Sequence, residues 1–167
     1  VVCVGKNYTA HIEEMASVPA ENMVVFMKPA TSIGTALFAE LDEPLHYEGE
    51  ICFLMQQGCV AGVGFGLDLT KREAQTKLKA AGLPWERSKA FTGSAIFSEF
   101  VTAPDTLTQL GVELRVDDVL RQKGDVSLML HPPEVILAEL RHFLVLEDFD
   151  IVMTGTPAGV GAVRAGE

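Results

Sequence analysis

Glu48 and Glu50 stand one residue apart in His46-Tyr47-Glu48-Gly49-Glu50-Ile51-Cys52-Phe53-Leu54-Met55, and Asp68 follows Glu50 by 18 positions. In a β-strand alternate side chains share a face, so the two glutamates point one way and Ile51, Phe53 and Met55 the other. Asp68 closes Val63-Gly64-Phe65-Gly66-Leu67, where Val63, Phe65 and Leu67 line one face. The two glycines and Asp68 occupy the opposite face and leave room for a third ligand. Three carboxylates brought together repel one another and resist burial, which calls for a cation among them or for raised pKa values. A donor set of oxygens alone suits a hard divalent ion, Mg²⁺ or Mn²⁺ before Ca²⁺, with positions left for water and substrate. By itself an E-x-E on a strand is more often a solvated face, so the metal reading needs support from the rest of the chain.

Several other residues carry potential chemistry. If His11-Ile12-Glu13-Glu14 is helical, His11 and Glu14 lie three apart on one face and can pair as acid and base; otherwise they belong to a surface turn. Lys28 ends the apolar run Val24-Val25-Phe26-Met27 and is stopped by Pro29. It is solvated unless acidic groups such as Glu48 and Glu50 lie opposite. Arg72 and Gln75 are one helical turn apart and can both face the strand before them, or else sit on an exposed helix. Lys89 lies between Trp85 and Phe91, a setting that lowers its pKa or demands an anionic partner. Thr154-Gly155-Thr156-Pro157-Ala158-Gly159-Val160-Gly161 presents amides and hydroxyls able to hold a carboxylate. It is no Walker loop, and no G-x-G-x-x-G opens a βαβ unit.

The elements that must position these residues can be outlined. The 167 residues fit one domain with a core that needs no staples. A formal charge of −10, from 13 basic and 23 acidic residues, argues against binding a phosphate backbone. No apolar run approaches the ~20 residues of a membrane span. Cys3, Cys52 and Cys59 sit in apolar settings without C-x-x-C spacing, which suits reduced core thiols and a cytoplasmic protein. Val1–Val4 and Val24–Met27 read as strands, Gln56-Gln57-Gly58 as a turn, and Val60–Leu69 as a returning strand. Thr70-Lys71-Arg72-Glu73 reads as a capping box opening a helix that ends at Gly82. Ile96–Val101 reads as a further strand, and Glu113–Val116 with Val119–Gln122 as a hairpin about Asp117-Asp118. A helix follows Pro132-Pro133, with Val135, Ile136, Leu137, Leu140, Phe143 and Leu144 as its buried stripe. Asp150–Met153 is the last strand. Strands outnumber helices and their connections are irregular, so a mixed, β-rich α+β fold is expected.

The order of these pieces is itself informative. Val2–Tyr8, His11 with Glu14, Phe26–Pro29, His46–Glu50, Leu67–Thr70 with Arg72 and Gln75, Gly82–Trp85, Lys89–Phe91 and Thr154–Gly161 together resemble the fumarylacetoacetate hydrolase family, in particular its short, acylpyruvase-like single-domain members. The resemblance spans nearly the whole chain. It implies the mixed β-sheet roll of that family's C-terminal domain, one catalytic domain over residues 1–167, a homodimer, and Mg²⁺ or Mn²⁺ held by Glu48, Glu50 and Asp68. It further implies a water-activating pair in His11 and Glu14, an enolate-steadying Lys89, and substrate contacts from Lys28, Arg72, Gln75, Thr154, Gly155 and Thr156.

The implied activity is hydrolysis of a carbon-carbon bond in an acylpyruvate or fumarylpyruvate-type 2,4-dioxo acid. Electrons from the broken bond collect in an enolate at the metal, and water delivered by His11 attacks the distal carbonyl. An isomerase or decarboxylase of 2-oxo dicarboxylic acids, or an oxaloacetate decarboxylase or tautomerase, uses the same metal. A third reading is a non-catalytic oxo-acid-binding domain. The acyl pocket is expected among residues 30–45 and the lid that bears His11. The short spacing from Glu50 to Asp68 suggests residues missing between Cys59 and Val60. Leu146–Asp150 replaces an expected Pro-Gly-Asp turn, Asp117-Asp118 an expected Asn-Gly, and a closing strand is expected beyond Glu167.

Overall fold

The structure, a computed structural model, describes residues 1–18 and 20–166. The expectation at Glu167 lies outside the described residues. In chain order the strands and helices are β1 (Val2–Gly5), α1 (Thr9–Glu14), β2 (Val24–Met27), β3 (Leu45–Tyr47), β4 (Gly49–Gln56), β5 (Cys59–Asp68), β6 (Thr70–Lys71) and α2 (Arg72–Ala80). They continue with α3 (Glu86–Lys89), β7 (Ala95–Phe97), β8 (Val101–Thr102), β9 (Gly111–Val116), β10 (Val119–Asp125), α4 (Pro133–Arg141), β11 (Ile151–Met153) and β12 (Gly161–Ala162). The fold is the expected β-rich α+β type.

The main sheet is mixed. Its order is β2-β1-β11-β4-β5-β7, with β8 also on β5; β1 and β11 run parallel and the other pairs antiparallel. The β9–β10 hairpin and the small sheet β12-β3-β6 flank it. The long β4–β5 hairpin is the spine. Its turn, Gln57-Gly58, has φ of 50° and 73°, the pair of left-handed residues that a two-residue hairpin matching strand twist requires. Strand β5 runs through Cys59 and Val60, paired to Gln56 and Met55. Pairing then jumps from Met55↔Val60 to Leu54↔Gly62, a bulge at Ala61. That bulge sets the parity by which Val63 and Phe65 face the core and Asp68 faces away from it.

Alternation sorts β4 as expected. Ile51, Phe53 and Met55 enter the larger core with Val152, Tyr8 and the α4 residues Ile136, Leu137 and Leu140. Each such side chain, fully buried, contributes about 1.5–3 kcal/mol. Cys52 joins a second cluster with Cys3, Ile151 and Met153 on the opposite face. Gly66 serves that packing, because a Cβ there would lie 2.5 Å from the Cys52 sulfur.

Some local expectations are corrected. Helix α2 has no side-chain cap of its own. Glu43, from a distant loop, instead accepts from the Glu73 and Ala74 amides at 2.8 and 3.2 Å, and Thr70 turns inward. The Ile96–Val101 strand is broken at residues 98–100, where Ser98 Oγ accepts the Phe65 amide. Cys59 is exposed beside the hairpin turn rather than in the core. Val135 and Phe143 are exposed, so the α4 stripe is narrower than its hydrophobic pattern. No described helix is long and apolar enough to cross a membrane.

Candidate active site

Strand register places the carboxylates. Glu50 pairs with Gly66 across the β4–β5 ladder, and the Glu48 carbonyl accepts the Asp68 amide at 2.9 Å. Residues opposite one another share a face, so Glu48, Glu50 and Asp68 converge as the strand alternation predicts. They are buried at 5%, 2% and 1% exposure, and each offers an oxygen within 4.8 Å of the others.

Cations pair directly with two of the three carboxylates. Lys89, carried by the one-turn helix α3, donates to Glu48 Oε2 at 2.8 Å, Asp68 Oδ2 at 2.7 Å and Thr70 Oγ1 at 2.6 Å. Its three protons are thereby used. Lys28 Nζ lies 2.8 Å from Asp68 Oδ1 and donates to the Ser94 carbonyl and hydroxyl and to the Lys89 carbonyl. Arg72 contacts Glu48 Oε1 and donates to Gln75 Oε1 at 2.8 Å. Among the described residues Glu50 has no ion pair; it accepts the Gly155 amide at 2.8 Å.

These partners separate the carboxyls chemically. For Glu48, burial would raise the pKa, but Lys89, Arg72 and His11 outweigh it and hold the group well below the usual carboxylate range. For Glu50, burial comes first, and the charges of Asp68 and Glu48 add to it, so its pKa is pushed well up. Lys89 is desolvated, yet Asp68 and Glu48 hold its pKa above the ordinary lysine value. The donor chemistry fits a divalent ion: three buried oxygen ligands converge, and among the described residues Glu50 lacks a cation.

Helix α1 covers this cluster. His11 Nδ1 lies 3.2 Å from Glu14 Oε2, and Glu14 also accepts the Gly159 amide at 3.0 Å. Because a carboxylate only accepts, Nδ1–H is the donor, and Nε2 is the ring nitrogen left for proton exchange.

The Gly/Thr loop does hold a carboxylate, and it is the protein's own Glu50. Gly155 reaches it with φ 101°, and a Cβ there would meet Asn7 at 2.8 Å. The Thr154 hydroxyl donates to the Ile51 carbonyl at 2.9 Å and the Thr156 hydroxyl to the Gly49 carbonyl at 3.0 Å. Both hydroxyl protons are therefore engaged inside the protein.

A narrow pocket, partly open to solvent, joins these groups. His11, Glu48, Glu50, Asp68, Arg72, Gln75, Lys89 and Thr156 line it, whereas Lys28, Thr154, Gly155 and Glu14 do not. No residue from 30–45 lines it; its outer wall comes instead from Lys6, Met15, Lys79 and Trp85. Gln122 was not foreseen. It is 1% exposed, accepts the Gly49 amide at 2.8 Å and donates to Thr156 Oγ1 and the Pro157 carbonyl at 2.7 and 2.8 Å. Its only signal in the sequence is a polar residue at an inward strand position. Ser94 and Thr70, which hold Lys28 and Lys89, carry no such signal.

The family model described as "Fumarylacetoacetate (FAA) hydrolase C-terminal" matches residues 1–167. The chain is 36% identical to the oxaloacetate tautomerase YcgM of Escherichia coli (strain K12), covering 100% of this chain and 84% of that protein. It is also 36% identical to the mitochondrial oxaloacetate tautomerase FAHD1 of Homo sapiens, over 98% of this chain and 82% of the relative. The crystal structure of fumarylpyruvate hydrolase from Pseudomonas aeruginosa, in complex with Mn²⁺ and pyruvate, superposes with a TM-score of 0.88 at 33% identity, covering 99% of this chain and 80% of that one.

Proposed function

The chain belongs to the fumarylacetoacetate hydrolase family, and on that premise we propose that it is a divalent-metal-dependent enzyme that interconverts the keto and enol forms of oxaloacetate-type 2-oxo acids. The observation that carries the proposal is the convergence of Glu48, Glu50 and Asp68 in a pocket that His11 and Lys89 also line. The similarity to two oxaloacetate tautomerases supports this reaction over the others that one site of this kind can run.

Glu48, Glu50 and Asp68 would hold Mg²⁺ or Mn²⁺, which when bound supplies Lewis acidity to the 2-oxo-carboxylate end of the substrate. Tautomerisation moves one proton between C3 and the 2-oxo oxygen. His11, with Nδ1 held by Glu14, would take and return that proton through Nε2. Arg72 and Lys89 put positive charge beside the position where the oxygen gains negative charge. Gln75 fixes the Arg72 guanidinium. Lys28 fixes Asp68 from behind, and the Thr154–Thr156 loop fixes Glu50. Thr156 reaches substrate as a pocket wall, since its hydroxyl proton is engaged.

The second reading is hydrolysis of a carbon-carbon bond in an acylpyruvate or fumarylpyruvate-type acid, which similarity to the Pseudomonas hydrolase supports. There His11 would deprotonate water rather than the substrate. The proposal includes a single catalytic domain over residues 1–167, homodimer formation and a cytoplasmic location. The mitochondrial relative makes cell fractionation the deciding measurement for location, and light scattering decides the dimer.

One preparation tests both chemistries. Oxaloacetate enol-to-keto conversion is followed by absorbance, and pyruvate release from acetylpyruvate and fumarylpyruvate is measured alongside, each with Mg²⁺, Mn²⁺ or EDTA. Tautomerisation well above the uncatalysed rate, lost in EDTA and reduced at least ~100-fold in His11→Ala, is expected. Turnover of acylpyruvates alone would replace the first reading with the second. Activity undiminished by EDTA would sink the metal dependence.

A further inference from the structure

A row of four side chains leads outward from the carboxylate cluster. Lys89 Nζ lies 5.4 Å from the Phe26 ring centroid, Phe26 lies 5.8 Å from Trp85, and Lys79 Nζ sits 4.9 Å over the Trp85 ring. The two ammonium ends differ. Lys89 is fully engaged by Glu48, Asp68 and Thr70. Lys79, in the last turn of α2, is half-buried and lines the outer wall of the same pocket. Among the described residues its ammonium has no hydrogen bond and no ion pair.

The charges that reach Lys79 are mostly of its own sign. Burial and then Arg72 lower its pKa to about 8, Lys89 and Lys6 act the same way, and Glu48 alone opposes them. The outer end of the pocket is therefore cationic in a chain whose formal charge is −10. A desolvated ammonium with only an aromatic face for company is complementary to an anion entering the pocket. The inner end already has its function, since the carboxylate cluster suits an ion and the 2-oxo-carboxylate end of a substrate.

We propose that Lys79 is a specificity-determining residue that receives the second carboxylate of a dicarboxylic 2-oxo acid, with the 2-oxo-carboxylate end lodged at Glu48, Glu50 and Asp68. Trp85 holds the ammonium in place and shields it from bulk water. Phe26 and Trp85 form the apolar floor along which the middle of the substrate lies. The inference rests on the metal-binding reading of the carboxylate cluster.

The test is equilibrium binding of two probes of equal length, 2-oxoglutarate and 2-oxopentanoate, which differ in a terminal carboxylate against a methyl group. Calorimetry is performed with Mn²⁺ on the wild type, Lys79→Met and Lys79→Arg. The wild type is expected to favour 2-oxoglutarate by at least about tenfold, equivalent to 1.4 kcal/mol. Lys79→Met removes that preference while leaving 2-oxopentanoate affinity within about twofold, and Lys79→Arg retains part of it. Equal loss for both probes in Lys79→Met, or an unchanged preference, would overturn the assignment. Binding of both probes undiminished by EDTA would overturn the metal reading instead, so the two failures are distinct.

Discussion

Gly155 donates its amide to Glu50 Oε2 across 2.8 Å, and among the described residues no lysine or arginine pairs with that carboxylate, although Lys28 pairs with Asp68, Arg72 with Glu48 and Lys89 with both. A buried carboxyl in that position is costly when ionised, so the metal-free protein gains nothing from its charge. Glu50→Gln keeps an acceptor for Gly155 and removes the charge. Its melting temperature in EDTA should be no lower than that of the wild type. Excess Mn²⁺ should stabilise the wild type, by about 2.7 kcal/mol at a hundredfold excess over Kd, and leave Glu50→Gln unmoved. Equal Mn²⁺ shifts in the two proteins would remove Glu50 from the ligand set.

Lys79 gives a pH dependence of defined sign. Its pKa in the folded chain, lowered by burial and then by Arg72, is about 8, against an ordinary 10.5. Between these values the unfolded chain holds a proton that the folded chain has released, so stability rises with pH across that window. Below about 8 the full penalty for the buried ammonium is present. Relative to Lys79→Met, the wild type should therefore become more stable from pH 8 to 10.5, measured by urea unfolding in EDTA. A flat difference between the two would show that the ammonium is not desolvated.

The candidate site was legible where it depends on strand parity. Glu48, Glu50 and Asp68 each take the face that alternation within their own strand predicts, and the Ala61 bulge, which the sequence does not announce, brings those two faces to the same side. His11 and Glu14 met because a single helical turn dictates it. Features set by distant chain were not legible. The Thr70–Glu73 sequence fits a capping box, yet Thr70 is taken by Lys89, and the helix is capped from Glu43, far off in sequence. The threonines of the Gly/Thr loop looked like substrate ligands, but their hydroxyls close hydrogen bonds to strand β4. The outer pocket wall was sought in residues 30–45 and is found at Lys79 and Trp85, because the turn at Gly82 returns the chain to the pocket. Asp117 and Asp118, with φ of 49° and 61°, show why the hairpin survives without Asn-Gly: aspartate tolerates the left-handed region.

Gln122 ties the β9–β10 hairpin to the ligand strand and the Gly/Thr loop through its bonds to Gly49, Thr156 and Pro157. Gln122→Leu is close in size but leaves the Gly49 amide without a partner and takes from the Pro157 carbonyl its shorter bond, and a buried group left unpaired costs about 1–3 kcal/mol. The expected result is a protein that still folds at low temperature, melts several degrees lower and binds Mn²⁺ more weakly. Gln122→Glu should preserve the Gly49 bond and recover only part of the loss. An unchanged melting temperature and unchanged Mn²⁺ affinity would mean that the loop and ligand strand are held independently of the hairpin.

Glu14 has two partners on different elements, His11 on its own helix and the Gly159 amide in the Gly/Thr loop. The helix is short, with His11 and Ile12 buried, and the Gly159 bond ties its last turn to the Gly/Thr loop. Glu14→Ala loses both contacts, whereas Glu14→Gln can keep an acceptor for Gly159 while removing the negative charge beside His11. If the Gly159 contact fastens α1, amide exchange across residues 9–14 should accelerate in Glu14→Ala and stay near wild type in Glu14→Gln. If the His11 contact orients the imidazole, turnover should fall in both variants, with the larger rise in KM in Glu14→Ala, where the helix is also released. Wild-type exchange in Glu14→Ala would show that the packing of Ile12, rather than the Gly159 bond, keeps α1 over the carboxylates.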